Sequence, residues 1–192
     1  LHADLVGFSF SYKAREAFYV PVPADFEEAK AIIHEFALIF EDISIEKIAH
    51  NLKYDLKVLH RYDIELKGPL FDTMIAQYLI NPESKQGMDF LATYYLSYQP
   101  ISIETLLGKK GKNQGNMSDL APEQIKDYAC EDADITWQLY EYLTNQLTAT
   151  ESLHTVYTDI ELPLAPVLQS IERNGAFVSR DILQQQSSVI GA

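Results

Sequence analysis

Tyr128 and Asp132 stand four residues apart in Tyr-Ala-Cys-Glu-Asp-Ala-Asp-Ile-Thr (128–136), inside a stretch whose apolar residues recur at helical spacing. Four residues is about one helical turn, so the phenol and the carboxylate lie one above the other on one face. The other members of that stripe, Ile125, Ala129, Ala133, Trp137, Tyr140 and Leu143, are apolar or aromatic, which turns Asp132 inward. A buried carboxylate is costly unless a cation or a hydrogen-bond donor meets it. The plain alternative is a solvated acid at the edge of an amphipathic helix. A second acid, Asp55, sits in His-Asn-Leu-Lys-Tyr-Asp (50–55), where a short apolar strand ends at Ala49 and a helix begins. Polar residues at the carboxyl end of a sheet strand occupy the place where α/β folds form ligand crevices. Here the plain alternative is an early helix acid that complements the macrodipole, behind Asn51 as N-cap. Taken together, two inward carboxylates from different helices offer hard oxygen ligands to divalent cations. A pair of such ions orients a water and stabilises the leaving oxygen of a phosphodiester, and Tyr128 is placed to hold or polarise that water. Two metals need more than two carboxylates, so this set is incomplete.

The elements that must position these groups follow from the pattern. Residues 4–11 and 17–22 read as strands of a hairpin with a polar loop between them, and Pro21 and Pro23 end the second. Asp25 caps a helix over 25–40 with Phe26, Ala29, Ile32, Ile33, Phe36 and Ile39 as its stripe. Ile45–Ala49 is a short strand of the parallel type, followed by a helix over 52–62. Gly68-Pro69 breaks the chain before the extended pair Leu70 and Phe71, and Asp72 caps a helix through Ile80. A helix over 89–97 and a Gly-, Asn- and Lys-rich loop at 108–119 precede the long helix from Pro122 to Leu147. A further helical segment runs from Thr150 to Arg173, divided or kinked by Pro163 and Pro166 and stopped at Asn174-Gly175. Ser179 caps a last short helix. Strands first, then strand–helix alternation, then helices predict an α/β layer fold with a mixed sheet.

Composition narrows the chemistry. The 192 residues are 47% hydrophobic, enough for a real core, and no apolar run approaches the length of a membrane span. The single cysteine, Cys130, cannot form an internal disulfide, which suits a reducing cytoplasm, and it excludes a zinc finger or ribbon. With 15 basic against 28 acidic residues the net charge is −13, the opposite of a broad phosphate-gripping face. Lys109, Lys110 and Lys112, with Asn113 and Gln114, form the one local basic cluster, fit either for a DNA backbone or for solvent. There is no nucleophile elbow and no phosphate-binding P-loop. The calcium-loop reading of Asp132-x-Asp134-x-Thr136 fails because Trp137 and Leu143 stand where Gly and Glu are needed. The histidines (His2, His34, His50, His60, His154) share no ligand spacing.

Residues 50–55 and 128–134 resemble the second and third exonuclease motifs of bacterial DNA polymerase I, the proofreading domain of the family-A polymerases. Phe71-Asp72-Thr73-Met74, Gly111-Lys112-Asn113-Gln114 and the segments 160–164 and 171–175 also resemble that family, in order, so the resemblance covers essentially the whole chain. It implies a ribonuclease-H-like fold that removes nucleotides from a single-stranded DNA 3′ end with two Mg2+ or Mn2+ ions. By the same resemblance Asp132 is a ligand of the more tightly held metal, Asp55 serves the second, Tyr128 positions the nucleophilic water, and Asn51 and Tyr54 lie beside the terminal nucleotides. Residues 1–150 correspond to the exonuclease domain. Residues 151–192 correspond to the helical lead-in to a downstream polymerase domain of the same parent chain, a nucleotidyltransferase of DNA replication and repair.

The family's first motif, Asp-x-Glu on the first strand, has no match here and is expected just upstream of Leu1. Two expectations follow: the fragment alone is inactive although its parent proofreads, and the gap left by the central first strand invites self-association through unpaired edges. The competing readings are an RNA-trimming exonuclease of the same acid class and a metal-free scaffold or DNA-binding domain.

Overall fold

The computed structural model describes residues 4–112 and 114–191; His2 and Asn113 lie outside them. Strands β1 (Gly7–Lys13) and β2 (Glu16–Pro21) form the expected antiparallel hairpin, with Phe8 opposite Val20 and Phe10 opposite Phe18. Its register shifts between Ser11 and Lys13, and Arg15 takes a left-handed φ of 66° in the turn. Strands β3 (Lys47–Ala49) and β4 (Leu70–Asp72) pair in parallel, Ile48 opposite Phe71 and Ala49 opposite Asp72. The approach to β4 depends on Gly68, whose φ is +84° and whose Cβ would stand 2.8 Å from the carbonyl oxygen of Ile43.

The expected α/β class is borne out, but the single mixed sheet is divided. Among the described residues the antiparallel pair and the parallel pair share no ladder. Each strand uses only one of its two edges, and no described strand lies between the pairs to join them.

The helices are α1 (Phe26–Glu35), α2 (Ala37–Phe40), α3 (Leu52–Arg61), α4 (Thr73–Ile80), α5 (Met88–Leu96), α6 (Ile103–Leu107), α7 (Pro122–Thr148), α8 (Glu151–Val156), α9 (Leu162–Asn174) and α10 (Arg180–Ile190). Asp25 caps α1 by accepting from the amides of Glu27 and Glu28, each at 3.0 Å. The helix predicted over 25–40 is broken at Phe36, whose ring meets Phe8 edge-on with centroids 4.9 Å apart, while Phe40 also reaches Phe8. The short α6, absent from the sequence reading, starts at Ser102, whose hydroxyl accepts from the Glu104 amide. Between α8 and α9 the expected kink takes the form of one π turn (Tyr157–Glu161) in a continuous helical run. Pro163 lacks an N–H and its ring crowds the carbonyl four residues earlier, and a widened turn relieves that clash. Gly175, with φ 72°, ends α9 as expected.

Two apolar clusters hold these parts together. Ile135, Leu139, Leu143 and Leu147 of α7 pack with Phe71, Ala76, Leu91, Ala92 and Tyr157. Val22, Ala29, Ile33, Val58, Tyr62 and Ile64 join the end of β2 to α1 and α3. Each such aliphatic side chain contributes about 1.5–3 kcal/mol. The hairpin, α4 and α5 all pack on α7. For that reason the fully buried stripe is Ile125, Ile135, Leu139, Leu143 and Leu147, while Ala129, Ala133 and Trp137 of the predicted stripe are only half-buried. Asp132 lies seven residues before Leu139, on the continuation of the buried stripe.

Candidate active site

Tyr128 and Asp132 lie near each other as the helical spacing requires: the Tyr128 hydroxyl pulls the Asp132 carboxyl down and the carboxylate pushes the phenol up. Both side chains are half-buried. Desolvation raises the Asp132 carboxyl to about 6; the Tyr128 hydrogen bond pulls it down, and the nearby charges of Asp89 and Glu131 push it up. Desolvation, and then the Asp132 charge, raise the Tyr128 phenol well above its ordinary value. This tyrosine therefore acts as a hydroxyl hydrogen-bonding group, since its phenolate is strongly disfavoured. The half-buried Cys130 beside it has its thiol raised by burial, which disfavours a thiolate nucleophile.

The three acids of the 131–134 run have different duties. Glu131 accepts from the Tyr98 hydroxyl at 2.6 Å and from the Ile101 amide at 2.7 Å, tying the loop before α6 to α7. Asp134 accepts from the Arg15 amide at the hairpin turn and from Gln138 Nε2 at 2.8 Å. Among the described residues Asp132 has no ion pair, and the group that lowers its carboxyl is Tyr128.

Asp55 lies in the first turn of α3, with desolvation raising its carboxyl to about 7 and the Asp72 charge pushing the same way. Tyr54 beside it is exposed, its ring open to a ligand. Asn51 departs from the expected cap. It occupies the N-cap position with φ 70° and ψ 52°, yet its side chain makes no capping bond. The reason is that Asp72 fills that place: its carboxylate accepts from the Leu52 amide at 2.8 Å and from the Asn51 amide at 3.2 Å. Asp72 also accepts from Met74 at 2.8 Å and Ile75 at 3.3 Å, which is the predicted cap of α4. The double role is invisible in sequence because the two sets of donors are about twenty residues apart and are joined by the Ala49–Asp72 register. His50 is anchored by Nδ1 to Thr73 Oγ1 at 2.9 Å, and desolvation lowers its pKa against the opposing Asp72 charge.

Asp132 thus joins Tyr128, and Asp55 joins Asp72, but among the described residues no group of three His, Cys, Asp or Glu side chains is gathered to hold a metal. The donor chemistry of Asp55 and Asp132 fits a hard divalent cation: both are desolvated carboxylates without an ion pair among the described residues. Their number does not complete a site. Lys109, Lys110 and Lys112 are exposed on the loop after α6.

A profile of the 3′-5′ exonuclease family matches residues 1–148. DNA polymerase I of Pseudomonas aeruginosa is 38% identical over 98% of this chain, and that of Borreliella burgdorferi is 35% identical over 95%. The chain spans 22% and 20% of their lengths, about a fifth of the curated relatives it matches. Among solved structures, the POL domain of Pol1 from M. smegmatis in complex with DNA primer-template and dNTP aligns over 92% of this chain and 27% of its own, with a TM-score of 0.67 at 22% identity. Brucella melitensis NrnC bound to pGG aligns over 83% of this chain and 71% of its own, with a TM-score of 0.59 at 21% identity. The chain belongs to the 3′-5′ exonuclease family, in the form carried by DNA polymerase I.

Proposed function

We propose that the chain is the proofreading exonuclease module of a DNA polymerase I, hydrolysing phosphodiesters at a single-stranded DNA 3′ end in the cytoplasm. The observation that carries this reading is Asp132: in a run of acids whose other members are used structurally, it keeps a desolvated carboxylate with no ion pair among the described residues, beside the Tyr128 hydroxyl. Asp132 and Asp55 would each hold a Mg2+ or Mn2+ ion, and Brucella NrnC, a fold neighbour, is described with bound Mg2+. Such ions, when bound, supply an activated water and charge stabilisation at the leaving oxygen. Tyr128 holds the water by its hydroxyl, and Asn51 and the exposed ring of Tyr54 pack beside the terminal nucleotides.

Two carboxylates do not complete a two-cation site among the described residues. The 192-residue chain alone is therefore expected to be inactive or nearly so. Residues 151–192 form the lead-in to a polymerase domain, which would cover the apolar side chains that α9 and α10 leave exposed, among them Leu164, Val167, Ile171, Ile182 and Leu183. The unpaired edges of the two small sheets are the proposed route of self-association.

The test is 3′ trimming of single-stranded DNA and RNA oligonucleotides with Mg2+. It compares the isolated chain with a full-length polymerase carrying it, each with and without Asp132→Ala. DNA trimming by the full-length protein, lost in the variant, is expected. Equal or faster RNA trimming would favour the RNA-trimming reading. No trimming of either would favour the metal-free scaffold. Trimming by the isolated chain that Asp132→Ala abolishes would overturn the incompleteness of its site.

A further inference from the structure

Asp72 is 1% exposed, yet its two carboxylate oxygens take four backbone N–H groups from two different helix starts. Oδ1 accepts from Met74 and Ile75, the first turn of α4, and also from Asn51. Oδ2 is used for α3 alone, accepting from Leu52. The same residue is gripped from behind by Tyr157 at the start of the π turn: its amide donates to the Tyr157 hydroxyl at 2.8 Å, and that hydroxyl lies 3.3 Å from its carbonyl oxygen. Tyr157 is itself 2% exposed and packs against the ring of Phe71. Asn51, on the other side, holds a left-handed backbone, which asparagine tolerates better than other non-glycine residues and which its amide bond to Asp72 helps to fix. Its own side chain does nothing to cap α3, so the N–H groups there would be orphaned without Asp72.

We infer that Asp72 is a positioning residue of the candidate site, fixing the left-handed Asn51 and the first turn of α3 and with them the bearing of Tyr54 and Asp55. Tyr157, from the helical segment after residue 150, is the second member of this support. An ordinary N-cap of α4 needs only Oδ1. The second oxygen and the Asn51 bond distinguish positioning from capping. That these groups serve an active site rests on the exonuclease reading; the bonds do not.

The distinguishing variant is Asp72→Asn. It keeps one carbonyl oxygen for Met74, Ile75 and Asn51, and sets an amide NH2 against the Leu52 N–H, donor against donor. Amide hydrogen exchange and backbone chemical shifts of the 15N,13C-labelled chain are the readouts, with Mn2+ line broadening as a third. The Leu52 and Asn51 amides are expected to exchange at least about tenfold faster, the Asn51 shifts to leave their left-handed values, and Met74 and Ile75 to keep their protection. Mn2+ broadening is expected to weaken around Asp55 and stay unchanged around Asp132. Unchanged exchange and shifts at Asn51 and Leu52 would overturn the inference. A parallel acceleration at Met74, Ile75 and the α7 core amides would also overturn it, since that is loss of general stability. Should Asp72→Asn fail to fold, Tyr157→Phe removes a single hydroxyl. Faster exchange of the Asp72 amide together with Asn51 and Leu52 then supports the inference, and a change at Asp72 alone refutes it. A response at Asn51 and Leu52 with no Mn2+ effect in either protein supports the positioning role and counts only against the exonuclease reading.

Discussion

Replacing Asp132 by asparagine should stabilise the isolated chain at alkaline pH, because the folded protein holds that carboxyl where its charge is unwelcome. The carboxyl is raised to about 6 from 3.8, chiefly by desolvation. With the folded value above the unfolded one, the folded state binds the proton more tightly. Its stabilising contribution is fully present below about pH 4, declines as pH rises, and is gone once pH passes through the folded value. A shift of about two units corresponds to about 3 kcal/mol in full, and solvent access to the half-buried group reduces the expected effect to about 1–2 kcal/mol. Asp132→Asn keeps the volume and an acceptor for Tyr128 and does not titrate. Urea unfolding with a chelator present should show the variant more stable by about 1–2 kcal/mol near pH 8 and no more stable than the parent near pH 4. A variant equal to or weaker than the parent at pH 8, or one with the same slope of stability between pH 4 and 6, would refute the assignment of Asp132 as a desolvated acid. Raised stability on removing a site residue is what a carboxylate kept for a cation predicts, since its charge has no structural use without the ion.

Tyr128→Phe removes the hydrogen bond that lowers Asp132, so the Asp132 carboxyl should titrate at still higher pH, read by 13C-carboxyl NMR. A downward shift would mean that the phenol does not donate to Asp132. Glu172→Gln weakens the contacts by which α9 holds Lys53 and Lys57 of α3. Both pairs are partly exposed, so the loss should be below about 1 kcal/mol for each and should shrink in high salt, as thermal unfolding at two ionic strengths would show.

The parts of the site that lie within one element were legible in the sequence. Tyr128 above Asp132 needs only the helix period, and the placement of Asp55 at the start of α3 needs only the strand end at Ala49 and the polar turn after it. What pairing across the chain creates was not legible. The cap of α3 comes from Asp72 because the parallel register brings Ala49 beside it, and nothing near Asn51 announces this. The division of the sheet was expected only from the unmatched first motif, because the hydrophobicity of each strand is the same whether or not its edge finds a partner. The true buried stripe of α7 was obscured because several elements pack on that helix and together widen its covered face beyond one stripe.

The acidic run makes the same point about function. Glu131, Asp132 and Asp134 are chemically near-equivalent, and helical phase alone favours Asp132 only as the residue one turn after Tyr128. Tertiary structure separates them by use. Glu131 is bound to the loop before α6 at Tyr98 and Ile101, and Asp134 to the hairpin turn at Arg15, so both are committed to fixing the helix against its neighbours. These two anchors on either side of Asp132 hold its backbone while leaving its carboxylate to Tyr128. Asp72 stands to Asp55 in a similar relation, a buried acid spent on backbone N–H groups so that a second acid nearby remains available. In both places a structural carboxylate bears the rigidity and a neighbouring acid has no ion pair among the described residues, the arrangement a site needs if a cation is to find its ligands already in position.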